Sequence, residues 1–415
     1  MLIVQSILGL AAFVLIAWLA SENRRAVSLR LILIGVGLQL VLGLILLRVP
    51  IFDDIFLGLN KVVLALETST KAGTKVVFGY LGGDTPPFEE INPAASYILA
   101  FRGLPLVLLI SALSSLLFFW RILPWVVKGF SWALQKTMRI GGAEGVGVAA
   151  NIFVGMVEAP LLVRPYLKNM TRSEIFSLMT CGMATIAGTV MVLYASILSG
   201  VIDNALGNIL TASIISAPAA ITIAKTMVPE VGRLTTGKLV PPVEAKSAMD
   251  AVTKGTVQGV QLLINIVAMI IVLVALVQLL NLILALFPDA GGKPITLQRL
   301  LGYVMAPVVW LMGIPWSESP AAGALMGTKT VLNELIAYLD LARLPEGVLD
   351  PRSRTILMYA MCGFANPGSL GIMIGGLGAM APERRAEIAA LGLRSILAGT
   401  LATCMTGAVA GIFLG

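Results

Sequence analysis

The chain has 415 residues, of which 58% are hydrophobic and only 12% are charged, and its mean hydropathy is +0.94. Soluble domains contain about 45–50% apolar and about 25% charged residues, so this composition predicts a polytopic membrane protein and excludes a soluble enzyme with one anchor. The net charge of +7 is typical of basic cytoplasmic loops and gives little support for nucleic-acid binding. The chain contains no histidine and therefore lacks the commonest general base and metal ligand.

A membrane span needs about 20 mostly apolar residues. Eight segments meet this requirement, at 2–20, 30–49, 97–120, 174–199, 203–225, 257–287, 354–376 and 386–413. The first segment has no basic region before it and no small-residue cleavage site, so we interpret it as a span rather than a cleaved signal peptide. Cys181, Cys362 and Cys404 lie in apolar runs without a CxxC pattern, which is typical of small packing residues.

Basic residues concentrate in alternate connections between these spans. These connections are 21–30, 121–139, 164–172, 225–254 and 382–386, and acidic residues dominate the other set. Because basic loops remain in the cytoplasm, the pattern predicts that both termini lie outside.

Five further segments are too short or too polar for a simple span. Residues 51–80, 124–138 and 297–312 are amphipathic, and we interpret them as helices lying at the membrane interface. Residues 141–167 and 315–341 each consist of two apolar halves of about ten residues around a break, and ten helical residues rise only about 15 Å. This length predicts re-entrant hairpins that enter and leave on the same side.

The two hairpins belong to an internal repeat. CGMATIAGTV at 181–190 aligns without a gap with CGFANPGSLG at 362–371, and a glutamate precedes each segment, Glu158 and Glu334. Three spans separate the hairpins, so the hairpins would enter from opposite sides. The sequence therefore predicts an all-α polytopic membrane protein with eight transmembrane helices, two re-entrant helical hairpins and interfacial helices, arranged as an inverted-topology repeat. Many secondary transporters with such repeats bind substrate at the midplane.

The repeated segments predict helices that are broken inside the membrane. Gly188 and Pro367 can interrupt the two spans, and each break frees backbone groups that lipid cannot satisfy. The freed carbonyls suit a small hard cation, whereas helix N-termini and hydroxyls suit a polar solute. A charge at the bilayer centre costs at least about 2.5–3.5 kcal/mol, so Glu158 and Glu334 are candidates for substrate contact.

For several candidate residues in the hairpins and breaks, a structural role remains open beside the functional one. Glu158 could accept N–H bonds at the start of a half-helix, and Asn151 could cap the hairpin turn. Thr185 could bond its own helix backbone, and Phe364 could be a core residue rather than the wall of a site for a planar ligand. A membrane enzyme or an assembly protein is the alternative class of function. The lack of histidine, of clustered metal ligands and of a nucleophile elbow argues against an enzyme.

Four motifs in order carry a resemblance to a known family. They are NIFVGMVEAPLLVRPYL (151–167), ATIAGTV (184–190), GTKTVLNELIAYLDL (327–341) and CGFANPGSLGI (362–372). Together they resemble the concentrative nucleoside transporter family in its bacterial eight-span form, over nearly the whole chain from about residue 90. The resemblance implies a homotrimer in the bacterial inner membrane and elevator-type alternating access. Transport would be driven by a sodium gradient or, in some members, by protons.

The resemblance also implies a division of the chain and a set of binding residues. The predicted parts are 1–123, mainly scaffold; 124–256, the first half of the transport domain; 257–290, the long scaffold span; and 291–415, the second half of the transport domain. The residues expected to bind the ribose hydroxyls are Glu334, Asn366 and Ser369. Those expected to face the nucleobase are Gly155, Met156, Val157, Glu158 and Val190, with Phe364 as a wall. The expected sodium ligands are the side chains of Asn151 and Thr185 and the carbonyls of Val154 and Ile186, an oxygen-only set that suits a hard cation.

The tip of the first hairpin departs from the family pattern at two residues. The usual hairpin tip is Gly-Gln-Ser/Thr-Glu, whose polar pair reads the base, but this chain has Met156 and Val157 there. A polar base edge that faces these side chains would lose hydrogen-bond partners, at about 1–3 kcal/mol each. We therefore expect an altered base preference, for a purine nucleoside, a modified nucleoside or a ribosyl compound with an apolar aglycone.

Overall fold

The structure is a computed structural model that describes residues 2–49, 51–89, 98–239, 245–289, 292 and 294–414, without the side chains of 51–57, 59 and 60. Tyr97, the first residue of the predicted third span, and the predicted loop residues 90–96 and 240–244 lie outside these ranges. The described residues form helices and no strand. The α-helices are α1 Leu2–Leu19, α2 Leu29–Arg48, α3 Ile51–Phe78, α4 Leu99–Arg102, α5 Leu106–Phe119, α6 Ile122–Met138, α7 Gly142–Asn151, α8 Glu158–Leu161, α9 Arg172–Ala184, α10 Gly188–Leu198, α11 Ala205–Met227, α12 Ala248–Leu284, α13 Leu297–Leu311, α14 Ser319–Val331, α15 Glu334–Arg343, α16 Pro351–Met361, α17 Pro367–Met380 and α18 Arg385–Phe413.

Seven helical segments of the described chain are long and apolar enough to cross a membrane. They are Leu2–Leu19, Leu29–Arg48, Leu99–Phe119, Arg172–Leu198, Ala205–Met227, Ala248–Leu284 and Pro382–Phe413. They correspond to seven of the eight predicted spans. The remaining predicted span, 354–376, is divided between α16 and α17, because Asn366 and Pro367 break the helix. Residues 172–198 are also divided, between α9 and α10.

Both predicted hairpins are present as pairs of short helices. Hairpin 1 consists of α7 and α8 with the tip residues 152–157 between them, and hairpin 2 consists of α14 and α15. Each hairpin precedes a broken span, so the order of elements is the same in both halves. Three spans lie between the hairpins, as an inverted repeat requires.

The two broken spans meet at their breaks. The point where a Cβ on Gly363 would sit lies 2.7 Å from the Met183 carbonyl oxygen and 3.0 Å from the Ala184 carbonyl carbon. Only glycine permits this backbone approach without a shift. The free helix ends of both halves are therefore gathered in one place, where polar groups can satisfy one another.

The amphipathic segments form α3, α6 and α13, and two of them pack along the hairpins. The side chain of Gln135 on α6 lies against Gly145 of hairpin 1, and Leu301 on α13 lies against Gly327 of hairpin 2. Their apolar faces therefore serve at least partly to cover the first arm of each hairpin. Their position at the membrane interface stays a prediction.

The peripheral helices pack in two groups. On α1, Ser6 Oγ donates to the Met312 carbonyl at 2.9 Å, and Gln5 donates to the carbonyls of Trp310 and Ile314. The α2 helix packs against α11 and α18, so both N-terminal spans contact helices of the predicted transport domain. In contrast, α12 packs mainly against α5, where Gly255 lies against the backbone of Ser111. Most other side chains of this 37-residue helix are exposed.

Candidate functional site

Glu334 and Asn366 lie together at the heart of the second half. Asn366 Nδ2 donates to Glu334 Oε2 at 3.1 Å. Both residues are buried, with Asn366 1% exposed and Glu334 4% exposed. Each residue is placed by a helix start. Asn333 caps α15 by accepting the Ile336 N–H at 2.9 Å, and Asn366 caps α17 by accepting the Ser369 N–H at 2.8 Å. The two caps fix a carboxylate at one helix start and an amide at another, and folding brings them side by side.

Tyr194 completes this cluster, and the sequence analysis did not select it. Its hydroxyl donates to Glu334 Oε1 at 2.7 Å, and its ring lies 5.2 Å from that of Tyr338. A signal was available, since Tyr194 follows Val190 by four residues and therefore shares a face of α10 with it. The contact itself joins residues 140 positions apart, which no local pattern reveals.

The tip of hairpin 1 is packed against both broken spans. The Phe153 carbonyl accepts the Gly188 N–H at 3.2 Å, which ties the tip to the start of α10. The Met156 side chain lies against Gly182 of α9, and Val157 lies against Gly376 of α17. The two residues that depart from the family pattern therefore make apolar contacts within the protein.

The remaining residues predicted for the base side lie near this tip or at the breaks. Glu158 begins α8 and is exposed. Its carboxylate lies close to Gly155, since a Cβ atom added to Gly155 would be 2.1 Å from Glu158 Oε2. Val190 is buried in the first turn of α10, and Phe364 is half-buried in the second break. Among the described residues, no hydrogen bond joins Glu158 to the Glu334–Asn366 pair, so their meeting around one ligand stays a prediction.

The predicted sodium ligands lie at the end of α7 and in the first break. Asn151 is the last residue of α7, and its Nδ2 donates to the Gly147 carbonyl at 3.2 Å. Its Oδ1 atom is buried and has no hydrogen-bond partner in the described structure. Thr185 Oγ1 donates to the Cys181 carbonyl at 2.9 Å, which leaves its lone pairs available. Val154 and Ile186 are buried beside these residues in sequence. A buried acceptor without a donor fits a site for a cation.

An ion cluster fixes the base of hairpin 1, away from this site. Lys225 Nζ lies 3.1 Å from Glu144 Oε2 and 3.0 Å from Glu230 Oε2. Lys225, which the sequence analysis placed in a basic loop, is instead in the last turn of α11 and is 5% exposed. Its charge is used to hold hairpin 1 against α11 rather than to face the solvent.

Sequence comparisons identify the family to which this arrangement belongs. Residues 208–411 match the profile described as "Na+ dependent nucleoside transporter C-terminus", residues 8–81 match its N-terminal counterpart, and residues 100–200 match "Nucleoside recognition". An uncharacterized transporter of Haemophilus influenzae is 37% identical, over 100% of this chain and 99% of that protein. The chain belongs to the concentrative, Na+-dependent nucleoside transporter family.

Other family members are similar over most of the chain. The nucleoside permease NupC of Helicobacter pylori is 33% identical, over 99% of this chain and 97% of that protein. Solute carrier family 28 member 3 of Mus musculus is 35% identical, over 97% of this chain and 58% of its own length.

Solved structures of a nucleoside transporter family member, CNTnw, have the same fold. The inward-facing substrate-bound state has a TM-score of 0.90 at 35% identity and covers 100% of both chains. A variant in an outward-facing state has a TM-score of 0.91 at 34% identity, over 100% of this chain and 98% of that chain. As a member of this family, the chain is a multi-pass membrane transporter and not an enzyme.

Proposed function

We propose that the chain imports nucleosides or nucleoside-like solutes by sodium symport, with elevator-type alternating access. One observation carries this proposal more than any other: the buried cluster of Glu334, Asn366 and Tyr194 at the junction of hairpin 2 and the two broken spans. A carboxylate and an amide are held there by helix starts. Such a rigid pair of acceptor and donor suits the vicinal hydroxyls of a ribose.

The bonding capacity of the cluster supports ribose binding. A carboxylate offers about four lone-pair positions, and Tyr194 and Asn366 occupy two of those on Glu334. The Asn366 amide has a second N–H in addition to the one that Glu334 accepts. Ser369, in the first turn of α17, adds a hydroxyl. We therefore assign the ribose hydroxyls to Glu334, Asn366 and Ser369.

The base side of the site would be less polar than in the family pattern. We assign Gly155, Met156, Val157, Glu158 and Val190 to it, with Phe364 as a wall. Because Met156 and Val157 offer no strong hydrogen-bonding group, we expect a purine nucleoside, a modified nucleoside or a ribosyl compound with an apolar aglycone. The double substitution Met156→Gln and Val157→Thr should raise uridine uptake, and no gain in that variant would contradict the assignment.

Sodium would bind as a co-transported ion between the tip of hairpin 1 and the first break. We assign its ligands to Asn151, Val154, Thr185 and Ile186, and the buried Oδ1 of Asn151 supports the assignment. Proton coupling through Glu158 or Glu334 is the alternative. Uptake measured with and without sodium between pH 5.5 and pH 8 separates the two, because a proton symporter would work in sodium-free buffer and would accelerate at acidic pH.

The elevator proposal assigns a moving and a fixed part. We propose the division into 1–123, 124–256, 257–290 and 291–415. Within the first part, α1 packs against α11, α13 and α18, and α2 packs against α11 and α18. The exposed apolar surface of α12 supports a scaffold that contacts lipid or neighbouring subunits of a homotrimer. We place the protein in a bacterial inner membrane with both termini outside.

A thermal-shift screen of nucleosides tests the function most directly. The purified full chain should be stabilised by its substrate, and the shift should be larger in sodium than in choline. If neither a nucleoside nor a ribosyl compound with an apolar aglycone shifts the melting temperature in either salt, the proposed function is wrong.

A further inference from the structure

Lys329 is a buried charge that the proposed transport site does not use. It lies in α14, the first arm of hairpin 2, and its side chain is 0% exposed. Its Nζ has no hydrogen-bond partner within the part of the chain that the structure describes. Lysines are almost never fully buried unless they are paired, because removing an ammonium group from water is costly. Some neighbouring group must therefore offset this charge.

Glu334 is the carboxylate closest to Lys329 along hairpin 2, and both side chains are buried. The two residues lie on either side of the turn of hairpin 2, since α14 ends at Val331 and α15 begins at Glu334. The other titratable groups near Lys329 are the thiols of Cys404 on α18 and Cys362 in the second break, and a thiol is mostly uncharged at pH 7. The Tyr194 hydroxyl, which donates to Glu334 at 2.7 Å, carries no charge. Among the described residues, Glu334 is therefore the candidate counter-charge for Lys329.

We propose that Lys329 is a positioning residue, which balances the charge of Glu334 without occupying its oxygens. This inference rests on the proposed function. The direct hydrogen bonds to Glu334 come from two neutral donors, Tyr194 at 2.7 Å and Asn366 at 3.1 Å. An ammonium group that bonded the carboxylate directly would compete with the ribose hydroxyls for its lone pairs. At its present place Lys329 supplies the counter-charge while those lone pairs remain available to substrate.

A double-mutant cycle on the purified full chain tests the pairing. Lys329→Met and Glu334→Gln should each lower the melting temperature, because each leaves one buried charge uncompensated. The melting temperature of the double variant should fall by less than the sum of the two single decreases, because the double variant retains neither charge. Lys225→Met provides the matched control. Lys225 is also buried, but it pairs with Glu144 and Glu230, so its combination with Glu334→Gln should be additive.

Substrate binding distinguishes a positioning role from a purely structural one. Adenosine and uridine serve as probes. Lys329→Met should raise the nucleoside Kd by about tenfold or more, which is the effect expected when a charged interaction is lost. Lys329→Arg keeps the positive charge and should retain most of the affinity. Additive melting shifts for Lys329 and Glu334 would overturn the pairing. An unchanged Kd in a destabilised Lys329→Met protein would overturn the positioning role. If the unmodified chain binds neither probe nor any other compound of the thermal-shift screen, the proposed function fails, and the melting cycle still decides whether Lys329 balances Glu334.

Discussion

Replacing Tyr194 with phenylalanine isolates one hydrogen bond of the candidate site. The substitution removes only the hydroxyl that donates to Glu334 Oε1 at 2.7 Å. The ring is 3% exposed and keeps its contact with the Tyr338 ring at 5.2 Å. The change therefore alters neither the volume of the core nor the helix, and its effect reports on the carboxylate alone.

The size of the effect follows from the charge of the acceptor. A hydrogen bond to a charged group contributes about 1.5–3 kcal/mol, and no water replaces the lost donor readily in a site this closed. Glu334 would keep Asn366 as its direct donor and could rotate away from the orientation that the ribose needs. If most of this energy serves to orient the carboxylate, the nucleoside Kd should rise by about ten- to one-hundredfold.

Tyr338→Phe is the matched control. The Tyr338 hydroxyl donates to the Met358 carbonyl at 3.0 Å, so its loss removes a buried hydrogen bond that lies outside the Glu334 cluster. Both variants should lose stability in a thermal melt, whereas only Tyr194→Phe should lose affinity in isothermal titration with a nucleoside that the wild type binds. Equal Kd values for the two variants would refute the reasoning, because they would show that Tyr194 does not orient Glu334.

Three further substitutions test other parts of the proposal. Gly155→Ala should reduce nucleoside uptake by about tenfold or more at nearly unchanged stability, because the new Cβ would displace the flexible Glu158 carboxylate. Uptake in proteoliposomes measures this effect. Full activity of the variant would argue against a role for Glu158. Asn151→Ala should raise the sodium concentration for half-maximal uptake without a comparable change in melting temperature measured in choline, and an unchanged sodium dependence would remove Asn151 from the ion site. Glu22→Gln should cost up to about 1 kcal/mol at pH 7, because a hydrogen bond from Arg172 lowers the pKa of Glu22 in the folded protein. That stability is present above the pKa of the unfolded chain, about 4.3, and is lost as the pH falls through the folded pKa, so melting curves of the two proteins should converge in acid.

Local sequence was sufficient to predict the hairpins and breaks. Asn366 followed by Pro367 can hardly lie inside a regular helix, and a break placed within an apolar run must lie at membrane depth. The same reasoning located Glu334, because it lies in the second hairpin upstream of the repeated break. These features depend on neighbouring residues, which is why the composition and spacing revealed them.

Long-range partners could not be predicted in this way. Tyr194 became interpretable only when folding brought it to Glu334, and Lys329 only when folding buried it. Lys225 shows the converse error, because a lysine at a helix end resembles a loop charge until a buried partner such as Glu144 is known. The amphipathic pattern of α13 likewise cannot distinguish a membrane surface from the surface of a hairpin.

The contact between the two breaks gives the proposed coupling a short physical path. Asn151 and Thr185, assigned to sodium, lie in hairpin 1 and at the first break, and the Met183–Ala184 backbone just before Thr185 touches Gly363. Gly363 precedes Asn366, which we assign to the ribose, by three residues. An ion that orders the first break would therefore order, through this backbone contact, the segment that presents Asn366. Because such linkage is reciprocal, a bound nucleoside would raise sodium affinity by the same factor.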